Sequence, residues 1–342
     1  MPIVTSGKVL VTGANGYVAV WVARTLLEQG YTVRGTVRSE SKAAHLRKVF
    51  ASYADKFETV VVDDITKAGA FDEAVKGVDA IEHTASPYHF KAGDPDELIV
   101  PAVHGTTRIL ESALAYGDAV RRIVVTSSTA AIMEPKSGPY TYTELDWNDS
   151  AVEAVRTKGR AASQPDKYRA SKVLAERAAW EFVEKNKERV SWDLVTLNPP
   201  FVYGPALHEV DRPETLNESM HSWFHSVFKN LHEPKQLGVI GGGWIDVRDL
   251  AEAHVLAIKR PEAGGERILV ASGEWKWQDW INAARSYGVP TSTGDDSYDS
   301  ATAVHSMRFN TTKASQLLGL KYRSIEQSTR DIVEDFKARK WI

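Results

Sequence analysis

Tyr168 and Lys172 stand four residues apart in the run YRASK, a spacing that puts a phenol and an ammonium on one face of a helix. A positive charge beside a phenol favours the phenolate, lowers the phenol pKa and eases proton transfer near neutral pH. Upstream, Thr126-Ser127-Ser128 follows the apolar run RIVV. A hydroxyl at the end of a buried strand can orient a carbonyl and stabilise developing oxyanion charge, although such serines otherwise cap helices or make turns. Near the start of the chain, KVLVT leads into Gly13-Ala14-Asn15-Gly16-Tyr17-Val18-Ala19. Glycines between a strand and a helix let the backbone approach a pyrophosphate at the positive helix end, and the small Ala19 lets that helix pack on a sheet. The spacing is G-x-x-G-x-x-A rather than G-x-G-x-x-G, so the turn alone is a weak signal. Together and in this order, the three features point to hydride and proton transfer with a dinucleotide.

The end of the second strand bears on which dinucleotide. A site for NAD carries an acidic residue there to hold the ribose 2′-hydroxyl. This chain has Thr36-Val37-Arg38-Ser39, with Lys42 close behind. Arg38 can pair a 2′-phosphate bidentately or stack on adenine; the alternative is a solvated strand-end arginine. With the acid missing, NADPH/NADP+ is the expected cofactor.

Positioning these groups requires a parallel sheet. Short apolar, β-branched runs alternate with helical patterns: strands at 8–12, 32–37, 57–62, 78–83, 122–126 and 192–198, and helices at 18–29, 41–50, 71–76, 97–116 and 167–186. Strands apolar throughout and strict β/α alternation predict a doubly wound (Rossmann) α/β sheet buried on both faces. Residues 131–165, with Pro135, Pro139 and TELDWND, read as a long loop over the site with one short helix. Beyond Tyr203 the pattern loosens into helices at 219–230, 249–258, 278–286, 312–318 and 325–336 and strands at 238–240 and 267–271. The expected division is a nucleotide-binding core over 1–200, with returns near 238–260, and a smaller C-terminal α/β substrate lobe over 201–342.

Composition closes off other classes. The 342 residues carry 42 Lys+Arg against 45 Asp+Glu, a net charge of −3, with no basic excess for nucleic acid. There is no cysteine, which excludes disulfides, thiolate catalysis and cysteine-held metals. No apolar run approaches the ~18 residues of a membrane span, and the first residues lack the pattern of a signal peptide, so a cytoplasmic protein is expected.

The motifs together resemble the extended short-chain dehydrogenases/reductases, above all the fungal aldehyde/ketone (carbonyl) reductases and plant dihydroflavonol reductases. The resemblance runs from Val9 to Phe336 through TGANGYVA, GTVRS, Asp64-Ile65, HTASP, VVTSS, YRASK, NPPFVYGP and DVRDLAEAH. It implies a catalytic triad of Ser128, Tyr168 and Lys172, with Tyr168 giving a proton to the carbonyl oxygen and Lys172 holding the ribose. It further implies Asp64 and Ile65 beside the adenine, Thr84, Ala85 and Ser86 along the ribose, and the backbone of Pro199, Pro200, Phe201 and Val202 against the carboxamide. The catalytic asparagine of short members maps to no residue here. Phe90, Trp223 and Phe224, with Ser128 and Pro200, are the expected substrate contacts.

Other features have plainer readings. Gly241-Gly242-Gly243 could suggest a second phosphate loop, but no helix follows it directly and a flexible turn is expected. His221 and His225 share helical spacing but lack a third ligand, so no metal is expected. Trp275, Trp277 and Trp280 read as packing. The competing functions are a nucleotide-sugar epimerase or dehydratase of the same fold, which Arg38 disfavours, and a non-catalytic dinucleotide sensor, which the retained Tyr/Lys pair disfavours. The long helices leave monomer and homodimer both open, with a small-molecule carbonyl compound as the partner.

Overall fold

The computed structural model describes residues 3–86 and 92–342. In the first half, strands β1 (Lys8–Thr12), β2 (Thr32–Val37), β3 (Phe57–Val61), β4 (Ala80–His83) and β5 (Arg122–Thr126) are interleaved with helices α1 (Tyr17–Glu28), α2 (Glu40–Val49) and α3 (Asp96–Tyr116). Next come a short strand β6 (Tyr140–Tyr142), α4 (Asp149–Lys158), the long α5 (Gln164–Lys185) and strand β7 (Asp193–Asn198). The last third holds β8 (Phe201–Tyr203), α6 (Glu218–Phe228), α7 (Pro234–Leu237), β9 (Gly241–Asp246), α8 (Val247–Lys259), β10 (Arg267–Leu269) and β11 (Gly273–Lys276). It ends with α9 (Trp277–Arg285), β12 (Met307–Phe309), α10 (Thr312–Leu318) and α11 (Ile325–Ala338).

Seven strands form one sheet in the order β10-β7-β5-β4-β1-β2-β3, every pair parallel. The chain starts in the middle, winds out to β3 and then returns to the other side of β1. The order therefore reverses between β1 and β4, the place where such sheets bind ligands outside their carboxyl ends. Val9, Val11, Ile81, Ile123, Val124, Leu194 and Val195 are all buried, as strands covered by helices on both faces must be. One apolar cluster covers the face under α1, α2 and α8 and continues into α6, α9 and α11; a second fills the face under α3 and α5. A three-stranded sheet, β11-β9-β8, and the pair β12-β6 lie outside the main sheet.

Several expectations are corrected. Residues 71–76 form turns rather than a helix. Gly69 and Gly77, both at positive φ, bracket a segment too short to repay helix nucleation. Residues 131–165 hold β6 and α4 as well as irregular chain. The strand expected at 238–240 begins at Gly241 instead, and the glycine triplet is part of β9 rather than a flexible turn. A Cβ on Gly241 would stand 2.0 Å from the Trp275 carbonyl oxygen and one on Gly243 2.2 Å from the Phe309 ring, so β9 packs where only bare backbone fits. The return to the main sheet is made by α8 and β10. Among the described residues, no helix is long and apolar enough to cross a membrane.

Candidate active site

The glycine turn sits at the carboxyl end of β1. Gly13 has φ +64°, and a Cβ there would meet the Cβ of Ala85 at 3.2 Å, so the turn has room for backbone alone. It is braced by Gly13 N–H donating to Thr36 Oγ1 (3.0 Å) and Gly16 N–H to the Gly13 carbonyl (2.8 Å). Gly16 caps α1 without a side-chain bond and no acidic residue lies in the first turn, so that turn's N–H groups meet no competing carboxylate of their own helix. This cradle fits a pyrophosphate.

Within the segment, Asn15 is half-buried, and Val18 is packed against the core. Tyr17 turns its side chain into the core. Its ring is buried and its hydroxyl donates to the Gly204 carbonyl at 2.9 Å, which fastens α1 to the chain after β8. Burial, then the nearby Asp246, pushes that phenol far above its ordinary pKa. Only the Tyr17 backbone remains to meet a cofactor.

Arg38 lies exposed where β2 ends. The Asp64 carboxyl is held below its ordinary range, first by the Thr66 hydroxyl and N–H, then by Lys67 and Arg38. Lys42 is paired with Glu209 at 3.0 Å, both side chains being exposed. Ile65 packs on α3 where Gly105 leaves space: a Cβ on that glycine would fall 2.7 Å from Ile65 Cδ1. On the far side of the turn, Thr12 Oγ1 accepts from the N–H of Thr84 and of Ala85, each at 3.1 Å. Thr84, Ala85 and Ser86 are thereby held half-exposed at the end of β4.

The catalytic candidates meet beside this strip. Ser128 follows β5, and its hydroxyl accepts from Ala130 N–H at 3.0 Å, capping a single 3₁₀ turn. That hydroxyl also hydrogen-bonds the Tyr168 phenol. Tyr168 enters from α5, whose start is fixed by Ser163 capping Asp166 N–H. Directly before it, buried Lys167 donates to the carbonyls of Ala92 (3.0 Å), Gly93 (2.9 Å) and Arg160 (2.9 Å), locking the helix in place. One turn after Tyr168, Lys172 reaches Ser86 Oγ at 3.3 Å.

The electrostatics run against the expectation of a lowered phenol. Burial pushes the Tyr168 phenol up to about 12, with Ser128 only partly offsetting it. Burial pushes the Lys172 ammonium down to about 8, with Glu176 opposing. Desolvation penalises both charged forms, so the lysine's own charge is eroded in the place where it would favour a phenolate.

Two charged groups of the site lie outside the quoted motifs, Glu176 and Arg267. Glu176, 1% exposed, is a further turn along the same face of α5. It accepts from Ser127 Oγ (2.5 Å), Asn198 Nδ2 (2.8 Å), Thr196 Oγ1 (3.2 Å) and Arg267 Nε (2.5 Å). Asn198 Nδ2 also donates to the Ser128 carbonyl at 3.2 Å, and His83 Nδ1 meets Thr12 Oγ1 at 3.0 Å. The i, i+4, i+8 spacing of Tyr168, Lys172 and Glu176 was the signal that could have found the carboxylate.

Among the carboxamide candidates, Pro199 and Val202 are buried, Pro200 is half-buried and Phe201 is 46% exposed. Trp223 and Phe224 are corrected: at 0% and 1% exposure they offer no surface to a substrate. They pack instead edge-on against Phe336, with Trp280 also against Trp223, in the core between α6, α9 and α11. Trp275, Trp277 and Trp280 are buried beside Tyr203. His221 and His225 stack on each other 4.0 Å apart. Phe90 lies outside the described residues.

A parallel sheet with its switch point beside a backbone-only turn is the architecture of the Rossmann-type dinucleotide-binding proteins. Comparison with known sequences narrows the class: the chain belongs to the NAD dependent epimerase/dehydratase family, whose profile matches residues 9–271. It is 35% identical to the ketoreductase azaE of Aspergillus niger, over 95% of this chain and 96% of that protein. It is 34% identical to the NADPH-dependent methylglyoxal reductase GRE2 of Saccharomyces cerevisiae, over 95% and 96%. The crystal structure of the yeast methylglyoxal/isovaleraldehyde reductase Gre2 complexed with NADPH superposes with a TM-score of 0.85 at 31% identity, covering 98% of this chain and all (100%) of that one.

Proposed function

We propose that the chain is an NADPH-dependent carbonyl reductase that converts aldehydes and ketones, among them aryl ketones, ketoesters and aliphatic aldehydes, to chiral alcohols. The observation that carries this is the contact of the Tyr168 phenol with the Ser128 hydroxyl, with the Lys172 ammonium one helical turn away. Bound NADPH supplies a hydride to the carbonyl carbon. Ser128 donates a hydrogen bond to the carbonyl oxygen and fixes its direction. Tyr168 delivers the proton to that oxygen, and its raised pKa keeps it protonated, as a general acid must be, at neutral pH. Lys172 holds the ribose and stabilises the phenolate left after transfer.

Arg38, with Lys42 released from Glu209, holds the 2′-phosphate, and the backbone of Gly13–Val18 takes the pyrophosphate. Asp64 and Ile65 flank the adenine, Thr84–Ser86 the ribose, and Pro199–Val202 the carboxamide. Residues 1–200 serve the cofactor and most of 201–342 the substrate. Residues that fix one face of the nicotinamide against the substrate would make the reaction stereoselective. The cytoplasm, where NADPH is available, is the proposed location. The names of the two relatives, a ketoreductase and a methylglyoxal reductase, support the same reading.

The test is NADPH oxidation by the purified protein against a panel of aldehydes, aryl ketones and ketoesters, with NADH in parallel. Turnover with NADPH and little with NADH is expected. NADPH binding without turnover of any carbonyl would overturn the reductase reading.

A further inference from the structure

We propose that Glu176 is a positioning residue that acts through Lys172, its fixed carboxylate keeping the buried ammonium charged. The role in catalysis rests on the reductase reading above. A carboxylate on a helix is ordinarily a solvated group, yet this one is 1% exposed and carries four donors on its two oxygens. Those donors come from the residue after β5, from β7 and from β10, and hold it in one orientation. A small cavity is shared by Lys172 and Glu176, with His83, Ser86, Thr106 and Ser127 among its lining residues. The charges that face Lys172 are therefore few. On α5 they are Glu176 and the neutral phenol of Tyr168. From β4 comes His83, which burial and the Lys172 charge push down to about 3, so it carries no charge of its own at neutral pH. Ser86, Thr106 from α3, Thr126 at the end of β5 and Ser127 just after it are neutral hydroxyls.

Glu176 is thus the one formal negative charge facing the ammonium among the described residues of that wall. Arg267, behind it, tempers that charge while anchoring it. The guanidinium of Arg267 also donates to the carbonyls of Glu144 (2.7 Å) and Asp146 (2.6 Å) and lies 3.7 Å from the Trp147 ring centre. The anchor is consequently shared with the segment that follows β6. Without the carboxylate, desolvation acts on Lys172 unopposed, and the lysine loses its proton at a lower pH.

The test compares Glu176→Gln, which keeps the size and removes the charge, with Glu176→Asp, which keeps the charge. Two readouts are needed: the alkaline limb of kcat/KM for carbonyl reduction, and the pH dependence of unfolding without cofactor. In Glu176→Gln both should move to lower pH by about one pH unit, as expected when a neighbouring opposite charge is lost, and Glu176→Asp should restore them. Arg267→Gln, which strips the countercharge from the carboxylate, should move the limb upward, and it decides the matter if Glu176→Gln fails to fold. Folded variants with lowered stability but an unmoved limb and unmoved unfolding profile would make Glu176 merely structural and overturn the proposal. A parent protein that reduces no carbonyl would instead overturn the reductase reading, and the unfolding profile would still test the Glu176–Lys172 coupling.

Discussion

Replacing Lys172 by methionine should stabilise the cofactor-free protein while removing its activity. The lysine is 9% exposed, and burial brings its ammonium from an ordinary 10.5 down to about 8. A tenfold change in proton affinity is worth roughly 1.4 kcal/mol, so at pH 7 holding this charged lysine costs the fold about 3 kcal/mol. Methionine fills similar space without the charge. The sign follows from where protons are bound. Between pH 8 and 10.5 the unfolded chain keeps the proton that the folded one has released, so the parent gains stability as pH rises through that window. It has none of that gain below pH 8 and all of it above 10.5. Lys172→Met has no such dependence. Urea unfolding of both proteins from pH 7 to 10.5 should therefore show the variant ahead by about 3 kcal/mol at neutral pH, with the gap closing toward the alkaline end. A variant less stable than the parent at pH 7, or a gap that does not change with pH, would refute the reasoning.

Two further substitutions probe the cofactor strip and the sheet. Arg38→Ala should weaken NADPH binding about 10- to 100-fold, the ~1.5–3 kcal/mol of a charged hydrogen-bonded contact, and leave NADH binding unchanged when both are titrated by fluorescence. Equal losses for both cofactors would deny Arg38 the 2′-phosphate. His254→Ala should destabilise the fold by about 3–5 kcal/mol, because it leaves Glu82 buried without the ring nitrogen that meets it at 2.6 Å. Burial already raises the Glu82 pKa, so the uncompensated carboxylate is worst tolerated at high pH. The loss seen by denaturant titration should be larger at pH 8 than at pH 5, and a loss independent of pH would argue against an ionised Glu82.

The parts of the fold legible in the sequence are those whose burial leaves a continuous pattern. KVLVT, RIVVT and DLVTLN each have an unbroken apolar or β-branched centre because helices cover both faces of the sheet, and each is a strand almost residue for residue. The glycine turn and the Tyr–Lys spacing were legible because their chemistry depends on local geometry. The glycine triplet of β9 was not, since a strand with no side chains has no periodicity to read. Trp223 and Phe224 on α6 show the complementary limit: an aromatic helix face reads the same whether it lines a pocket or, as here, meets α9 and α11 in the core. The direction in which burial moves the Tyr168 and Lys172 pKa values was likewise hidden, because desolvation arises from segments distant in the chain. Glu176 shares the i, i+4, i+8 face of Tyr168 and Lys172, but its anchor Arg267 lies distant in the chain, so its burial could not be read from α5 alone.

The most direct measurement of the central claim is single-turnover reduction of a carbonyl substrate by the NADPH-loaded protein and its Tyr168→Phe variant, with NADPH affinity measured alongside. Loss of a positioned general acid predicts a rate about 10²- to 10⁴-fold lower with NADPH affinity preserved. A variant that reduces the carbonyl at the parent's rate would contradict the assignment of Tyr168 as proton donor.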